Sequence, residues 1–255
     1  MNRRRALATL GAGAIGTLAG CVAPTALTDE TPEDPDWLDG DDLDADRLAT
    51  THEEALEAAG SFELFSTATT EYEGETEPSR WLPSQEYEAA FESERGRFSL
   101  RQEMTEEGER ERFDLYVDGS EAFVRERDGD TDVTDRRSID EPEAFFGAEF
   151  ETEATTGVRG VGGWNMRVAD RTEVDGDPAV RLAADTFTGD AGIPEEVEEA
   201  TATMVVTTEG IVRSLEQRWE GSQGEQAASV EVDIAFNQVG SMTIEEPAWV
   251  ADLRE

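Results

Sequence analysis

Residues 111–130 read ERFDLYVDGSEAFVRERDGD. Phe113, Leu115 and Val117 recur at every second position, the period of a strand with one face buried. The run then meets Asp118-Gly119, a dipeptide suited to a tight hairpin turn. The stretch predicts a β-hairpin, and the same signature spreads from it in both directions.

Upstream, SFELFSTATTEYEG (61–74) alternates Phe62, Leu64, Ala68, Thr70 and Tyr72 with Glu63, Thr67, Glu71 and Glu73, and GRFSLRQEM (96–104) alternates Phe98, Leu100 and Met104 with Ser99, Arg101 and Glu103. Downstream, WNMRVADRTEVDGDPAVRLAAD (164–185) turns at Asp175-Gly176 and ATMVVTTEGIVRSLEQRWEG (202–221) turns at Glu209-Gly210. ASVEVDIAFNQVG (228–240) alternates Val230, Val232, Ile234 and Phe236 with Glu231, Asp233 and Asn237. Turns that join neighbouring strands within a few residues predict an antiparallel meander. Charge on every second position leaves each strand covered on one side only. A lone sheet of roughly eight to eleven strands must curl, and something must cover its apolar face.

Helices are few. DADRLATTHEEALEAAG (44–60) carries Leu48, His52, Ala55, Leu56 and Ala59 on one stripe, with Gly60 as a stop. DEPEAFFGAEFE (140–151) and IPEEVEEA (193–200) follow helix-start signals, Asp140 and Pro194. The expected fold class is therefore α+β and mostly β: one strongly curved antiparallel sheet, a half-barrel, with a few helices on its concave face.

This arrangement resembles the LolA/LppX-type fold. EEALEAAGSFELFSTATT (53–70) is similar to that family's opening, in which a helix ends just before the first strand, and VGSMTIEEPAWV (239–250) resembles the last strand and Pro-containing tail of many haloarchaeal lipoproteins. The resemblance implies an apolar cavity between sheet and helices, and carriage of lipid, lipoprotein or glycolipid. Parity along the strands then nominates Leu64, Phe98, Leu100, Phe113, Leu115, Trp164, Met166, Trp219 and Phe236 as its lining. The competing expectation is that these side chains fill a close-packed core. RGVGGWNM (159–166), with Gly160, Gly162 and Gly163 ahead of Trp164, is the candidate flexible lip, and a simple loop before a strand is the plainer reading.

The amino terminus reads as an address. Ala6–Gly20 is apolar but short of the roughly 20 residues a bilayer span requires, and it carries four glycines. Arg3 and Arg4 within NRRRAL (2–7) resemble the twin-arginine export consensus, and Leu18-Ala19-Gly20-Cys21 resembles a lipobox. The expected organisation is a cleaved signal peptide over 1–20, lipid on Cys21, an acidic disordered tether over 21–45 in which Trp37 and Leu38 stand out as candidates to dock on the domain, and a β domain over 46–255. Each buried CH₂ of an anchor contributes about 0.8 kcal/mol, so two long chains hold a domain on a membrane face. No later apolar run reaches spanning length.

Composition narrows the solvent and the chemistry. The 255 residues carry 61 acids against 21 basic residues, a net charge of −40, and every basic residue is arginine. Such composition resembles the proteins of extremely halophilic archaea, where salt near 1 M cuts the Debye length to about 3 Å and screens the self-repulsion. Nucleic acid is excluded as a partner by the absence of a basic stripe. One histidine and one cysteine, the latter assigned to lipid, leave no material for Ser–His or Cys–His catalysis. Neither Asp42, Asp44, Asp46 and Glu53, which lack the required glycine at Arg47, nor Asp128, Asp130, Asp132 and Asp135 completes a calcium loop. No metal, cofactor or catalytic site is expected. The functional expectation is a non-enzymatic binder of lipid or another hydrophobic ligand on the extracytoplasmic membrane face; the alternative is a structural or interaction module with a filled core.

Overall fold

The computed structural model describes residues 34–72, 84–106, 109–189, 196–223 and 226–254. Among them the chain forms β1 (Leu38–Asp39), β2 (Asp42–Leu43), α1 (Ala45–Ala59), β3 (Ser61–Tyr72), β4 (Ser84–Glu92), β5 (Arg97–Glu106), β6 (Glu109–Asp118), β7 (Glu121–Asp128) and β8 (Thr131–Ser138). There follow α2 (Pro142–Ala154), a 3₁₀ turn at Arg159–Gly163, β9 (Arg167–Val174), β10 (Asp177–Ala184), β11 (Glu196–Thr207), β12 (Val212–Gln223), β13 (Gln226–Asn237) and α3 (Ala248–Arg254).

All thirteen strands belong to one antiparallel sheet, in the order β1-β2-β9-β10-β11-β12-β13-β3-β4-β5-β6-β7-β8. After β1 and β2, which form one edge beside β9, the chain takes the middle with β3, meanders out to the β8 edge, crosses to the other flank, and meanders back until β13 pairs with β3. That crossing, residues 139–166, carries α2 and the 3₁₀ turn over one face of the sheet.

Register makes that face apolar. Phe236, Leu64, Ala89, Leu100, Leu115 and Val124 lie side by side across six strands. Phe62, Phe91, Phe98, Val117 and Ala122 form the next row. Ala122 on β7 and Val180 on β10 belong to the same buried cluster as Leu48 and Leu56 of α1, so the open sheet wraps its helices.

The opposite face has a smaller core of its own. Ala90, Tyr116 and Phe123 are covered there by Ile244 and Val250 of the C-terminal segment, with Met242, Trp249 and Leu253 alongside. Arg254 sits over the Phe123 ring at 4.9 Å and pairs with Asp118 at 2.8 Å.

Two expectations are corrected. Glu196–Ala200, read as helix after Pro194, is the start of β11: Glu196 opposes Ser222 and Val197 opposes Gly221, with a bulge before Glu199. A few residues of helix propensity do not outweigh a ready β12 partner; Pro194 itself lies outside the described residues. The folded unit also begins at Asp34 rather than at residue 46. Trp37 is 1% exposed, Arg47 donates to the Asp36 carbonyl at 2.8 Å, and Arg171 pairs with Asp34. Burying an indole contributes roughly 2–3 kcal/mol, enough to dock this end of the acidic segment. Residues 21–33 of the expected tether lie outside the described residues.

Candidate functional site

The expected cavity residues cluster, but as a closed core. Leu64, Phe98 and Phe236 are fully buried, and Trp164, Met166 and Trp219 nearly so, all within the main core; Leu100 and Leu115 pack partly buried against it. Phe113 stays half-buried on β6 and outside that cluster. The expected lip is also packed: a Cβ on Gly163 would come within 2.7 Å of the Phe187 ring and 3.1 Å of Gly189. Trp164 lies 4.9 Å from Phe187 and 5.3 Å from Trp219, ring centre to ring centre.

Space remains elsewhere. A cavity of about 400 Å³ opens where α1 ends, lined by Glu57, Phe91, Ser93, Gly96, Gly119, Pro142, Glu143, Phe146, Gly147 and Phe150. Phe91 forms its floor from the aromatic row, with Phe150 edge-on at 5.8 Å and Phe98 behind at 4.5 Å. Gly96 and Gly119 shape the wall. Both have φ near +60°, the left-handed region that favours glycine, and the Gly119 N–H donates to the Gly96 carbonyl at 2.9 Å. Two turns thereby meet without a side chain between them. Phe146 and Gly147 of α2 form the roof.

α2 spans this gap because it is weakly seated. Its apolar residues are not confined to one stripe, and only Glu153 and Ala154 at its C-terminal end are buried. Glu153 accepts a hydrogen bond from the Tyr87 hydroxyl of β4. Burial raises the Glu153 carboxyl above its usual range, the Tyr87 bond offsets part of that rise, and Glu149 one turn away is raised by burial too. Burial and the neighbouring glutamates push the Tyr87 phenol up as well.

Three further cavities are charged. Those of about 250 and 380 Å³ on the outer face of β11–β13 are lined by Arg218 with Glu216, Glu231 and Asp233, or with Glu198 and Glu220. A third, about 260 Å³ beside the C-terminal segment, holds Asp114, Arg101 and Arg112. Burial pushes the Asp114 carboxyl up, but Arg112 and Arg101 overcome this and hold it below its usual range. Arg127 adds a further bond at 3.2 Å, so Asp114 is a structural hub with its bonds committed.

His52 is a core residue. Its Nδ1 accepts the Val212 N–H at 3.2 Å, and its ring meets Phe236 edge-on at 4.5 Å. Burial lowers its pKa to about 3, offset slightly by the Gly210 backbone. Several acids of the two clusters are engaged in pairing: Asp42 with Arg167, Asp132 with Arg125, Asp135 with Arg137. Asp44 accepts the Arg47 N–H. Among the described residues no group of three or more His, Cys, Asp or Glu is placed to hold a metal, and no helix is long and apolar enough to cross a membrane. Arg3, Arg4, Leu18, Ala19, Gly20 and Cys21 lie outside the described residues.

Sequence reasoning missed Phe91, Phe150, Gly96 and Gly119. Their signal was two turns carrying glycine opposite a Phe-rich helix, but the void itself depends on where α2 rests.

No curated protein matches the sequence. Among solved structures, the chain is similar to the Mycobacterium tuberculosis lipoprotein LppX (10% identity, TM-score 0.40, covering 79% of this chain and 98% of that one). It is similar too to LprF from Mycobacterium bovis (14%, 0.39, 82% and 100%) and a DUF1329 family protein from Desulfovibrio piger (9%, 0.25, 75% and 90%). TM-scores this low leave the site to be read from this chain's own geometry. A family model matches residues 7–253, so the chain belongs to DUF7537, a family of unknown function.

Proposed function

We propose that this protein is a lipoprotein of the extracytoplasmic membrane face, exported by the twin-arginine route and anchored through lipid on Cys21, that binds a hydrophobic ligand without transforming it. The observation that carries the binding reading is the cavity beneath α2. Its volume falls in the range of about 300–1,000 Å³ usual for small-molecule sites, and phenylalanines from β4 and α2 face it from both sides. The N-terminal motifs carry the anchor. On this reading the ligand lies against Phe91, Phe146 and Phe150.

Gly147→Leu tests the binding reading. A Cβ at Gly147 meets nothing within 4 Å, and leucine is a better helix former than glycine by close to 1 kcal/mol. The variant should fold at least as stably as the parent while losing uptake of an apolar fluorescent probe by tenfold or more. Equal uptake by both proteins would sink this site. Cys21→Ser should release the protein from the membrane into the medium.

The second reading is an envelope interaction module with a filled core. The complete closure of Leu64, Phe98 and Phe236 favours it. A parent protein that neither co-purifies with nor takes up any apolar compound would establish it.

A further inference from the structure

The rim of the cavity carries a chemistry of its own. Glu57, from the last turn of α1, and Glu143, from the first turn of α2, both line it, and both are exposed. The remaining polar side chain there is Ser93, and no basic residue lines the space. Elsewhere arginine is distributed to neutralise carboxylates: among the described residues every arginine but Arg47 sits in an ion pair. Arg95, two residues from Ser93, is paired with Glu92 at 3.1 Å. Glu57 and Glu143 have no ion pair among the described residues.

One feature of the rim points the other way. The N-terminus of α2 has no side-chain cap, and its free N–H groups present about half a positive charge. Glu143 already occupies that first turn, and two full carboxylate charges outweigh the dipole end. The field at the mouth is negative.

Resting on the binding reading above, we infer that the cavity takes an amphiphile with an apolar chain and a cationic head, the chain against Phe91, Phe146 and Phe150 and the head between Glu57 and Glu143. A carboxylate or sulfate head on the same chain is repelled. An uncharged head falls between the two.

The test holds the chain length fixed and changes only the head. Dodecylamine, dodecanol and dodecanoate are titrated below aggregation into the Cys21→Ser protein, at the lowest salt at which near-ultraviolet circular dichroism shows the fold intact. Dodecylamine should bind about tenfold or more tightly than dodecanoate, given two carboxylates lining the mouth. The ratio should shrink toward one in molar salt. Glu57→Gln with Glu143→Gln should collapse it at low salt, whereas Glu196→Gln with Glu198→Gln, exposed on β11 and away from the cavity, should leave it standing, which separates the rim from the field of the whole −40 chain. Dodecanoate binding as well as dodecylamine, or a selectivity that survives the double substitution at the rim, would overturn the inference and leave the binding reading standing. Failure of all three to bind would overturn the binding reading and this inference together.

Discussion

α1 and α2 cover the same face of one sheet and hold it by opposite means. α1 places Leu48, His52 and Leu56 on one stripe and buries all three; Asp44 caps its first turn at 3.0 Å, and Gly60, left-handed at φ 73°, closes its last. α2 has no side-chain cap, presents Phe145, Phe146 and Phe150 only half-buried, and buries a carboxyl, Glu153, against a tyrosine. The first helix plugs the core and the second rests across it, so the void lies under the second. A helix that seals a sheet and a helix that leaves room under itself differ in whether their apolar positions form one stripe.

Cutting into each helix should separate stability from binding. Leu56→Ala should cost about 3–4 kcal/mol, the usual toll of emptying a fully buried leucine site. Phe146→Ala should cost less, about 1–2 kcal/mol, since that ring is only partly buried, yet reduce probe uptake severely. Denaturant titrations at one fixed salt concentration, paired with probe binding, check both. Similar stability losses from the two would erase the distinction.

Acid and base should pull the helices apart in opposite directions. His52 is held near pKa 3 against about 6.5 in the unfolded chain, so the unfolded state binds more protons between those values. Its stabilisation is complete above pH 6.5 and is lost as pH falls toward 3, by about 3 kcal/mol at pH 4. His52→Leu should flatten that slope. Glu153 behaves the other way: its folded pKa is raised, so its contribution is complete below the unfolded value and is lost as pH rises through the folded one. Hydrogen exchange should therefore show α1 loosening in acid and α2 loosening as pH rises, and Glu153→Gln should weaken the second effect, leaving the part that Glu149 contributes. Parallel behaviour of the two helices would contradict the contrast.

The smallest effect concerns the caps. Asp44→Ala should cost about 1 kcal/mol, whereas Glu141→Ser, which supplies α2 with the cap it lacks, should stabilise by up to about 1 kcal/mol. A gain at Asp44 or a loss at Glu141 would show that the two starts do not differ as drawn.

Much of the sheet was legible in the sequence because its determinants are local. Asp118-Gly119, Asp175-Gly176 and Glu209-Gly210 announced turns, and all three glycines have positive φ. Strand parity correctly placed Leu64, Phe98, Leu115 and Phe236 on one face. The same parity misjudged nothing about direction; it simply has no access to filling. Whether Phe98 lines a void or touches Phe91 and Phe145 depends on how α2 settles, a tertiary outcome that no strand records. The acidic run around Trp37 shows both sides: composition spoke for a solvated tether, the indole stood out in it as a candidate to dock, and only the fold supplies the site that buries it.

The sheet order has a consequence for how the molecule is assembled. β3 through β8 pair with neighbours in sequence and can zip as a unit, as can β9 through β13. Joining them requires Asp233 to find Thr67 across 166 residues of chain. Contacts so distant are closed late and slowly, and until then β3 and β13 each present a bare edge of twelve residues to any chain nearby. Speed of maturation is thus governed by one seam, and its unmated edges are where a crowded, newly made population would stick together.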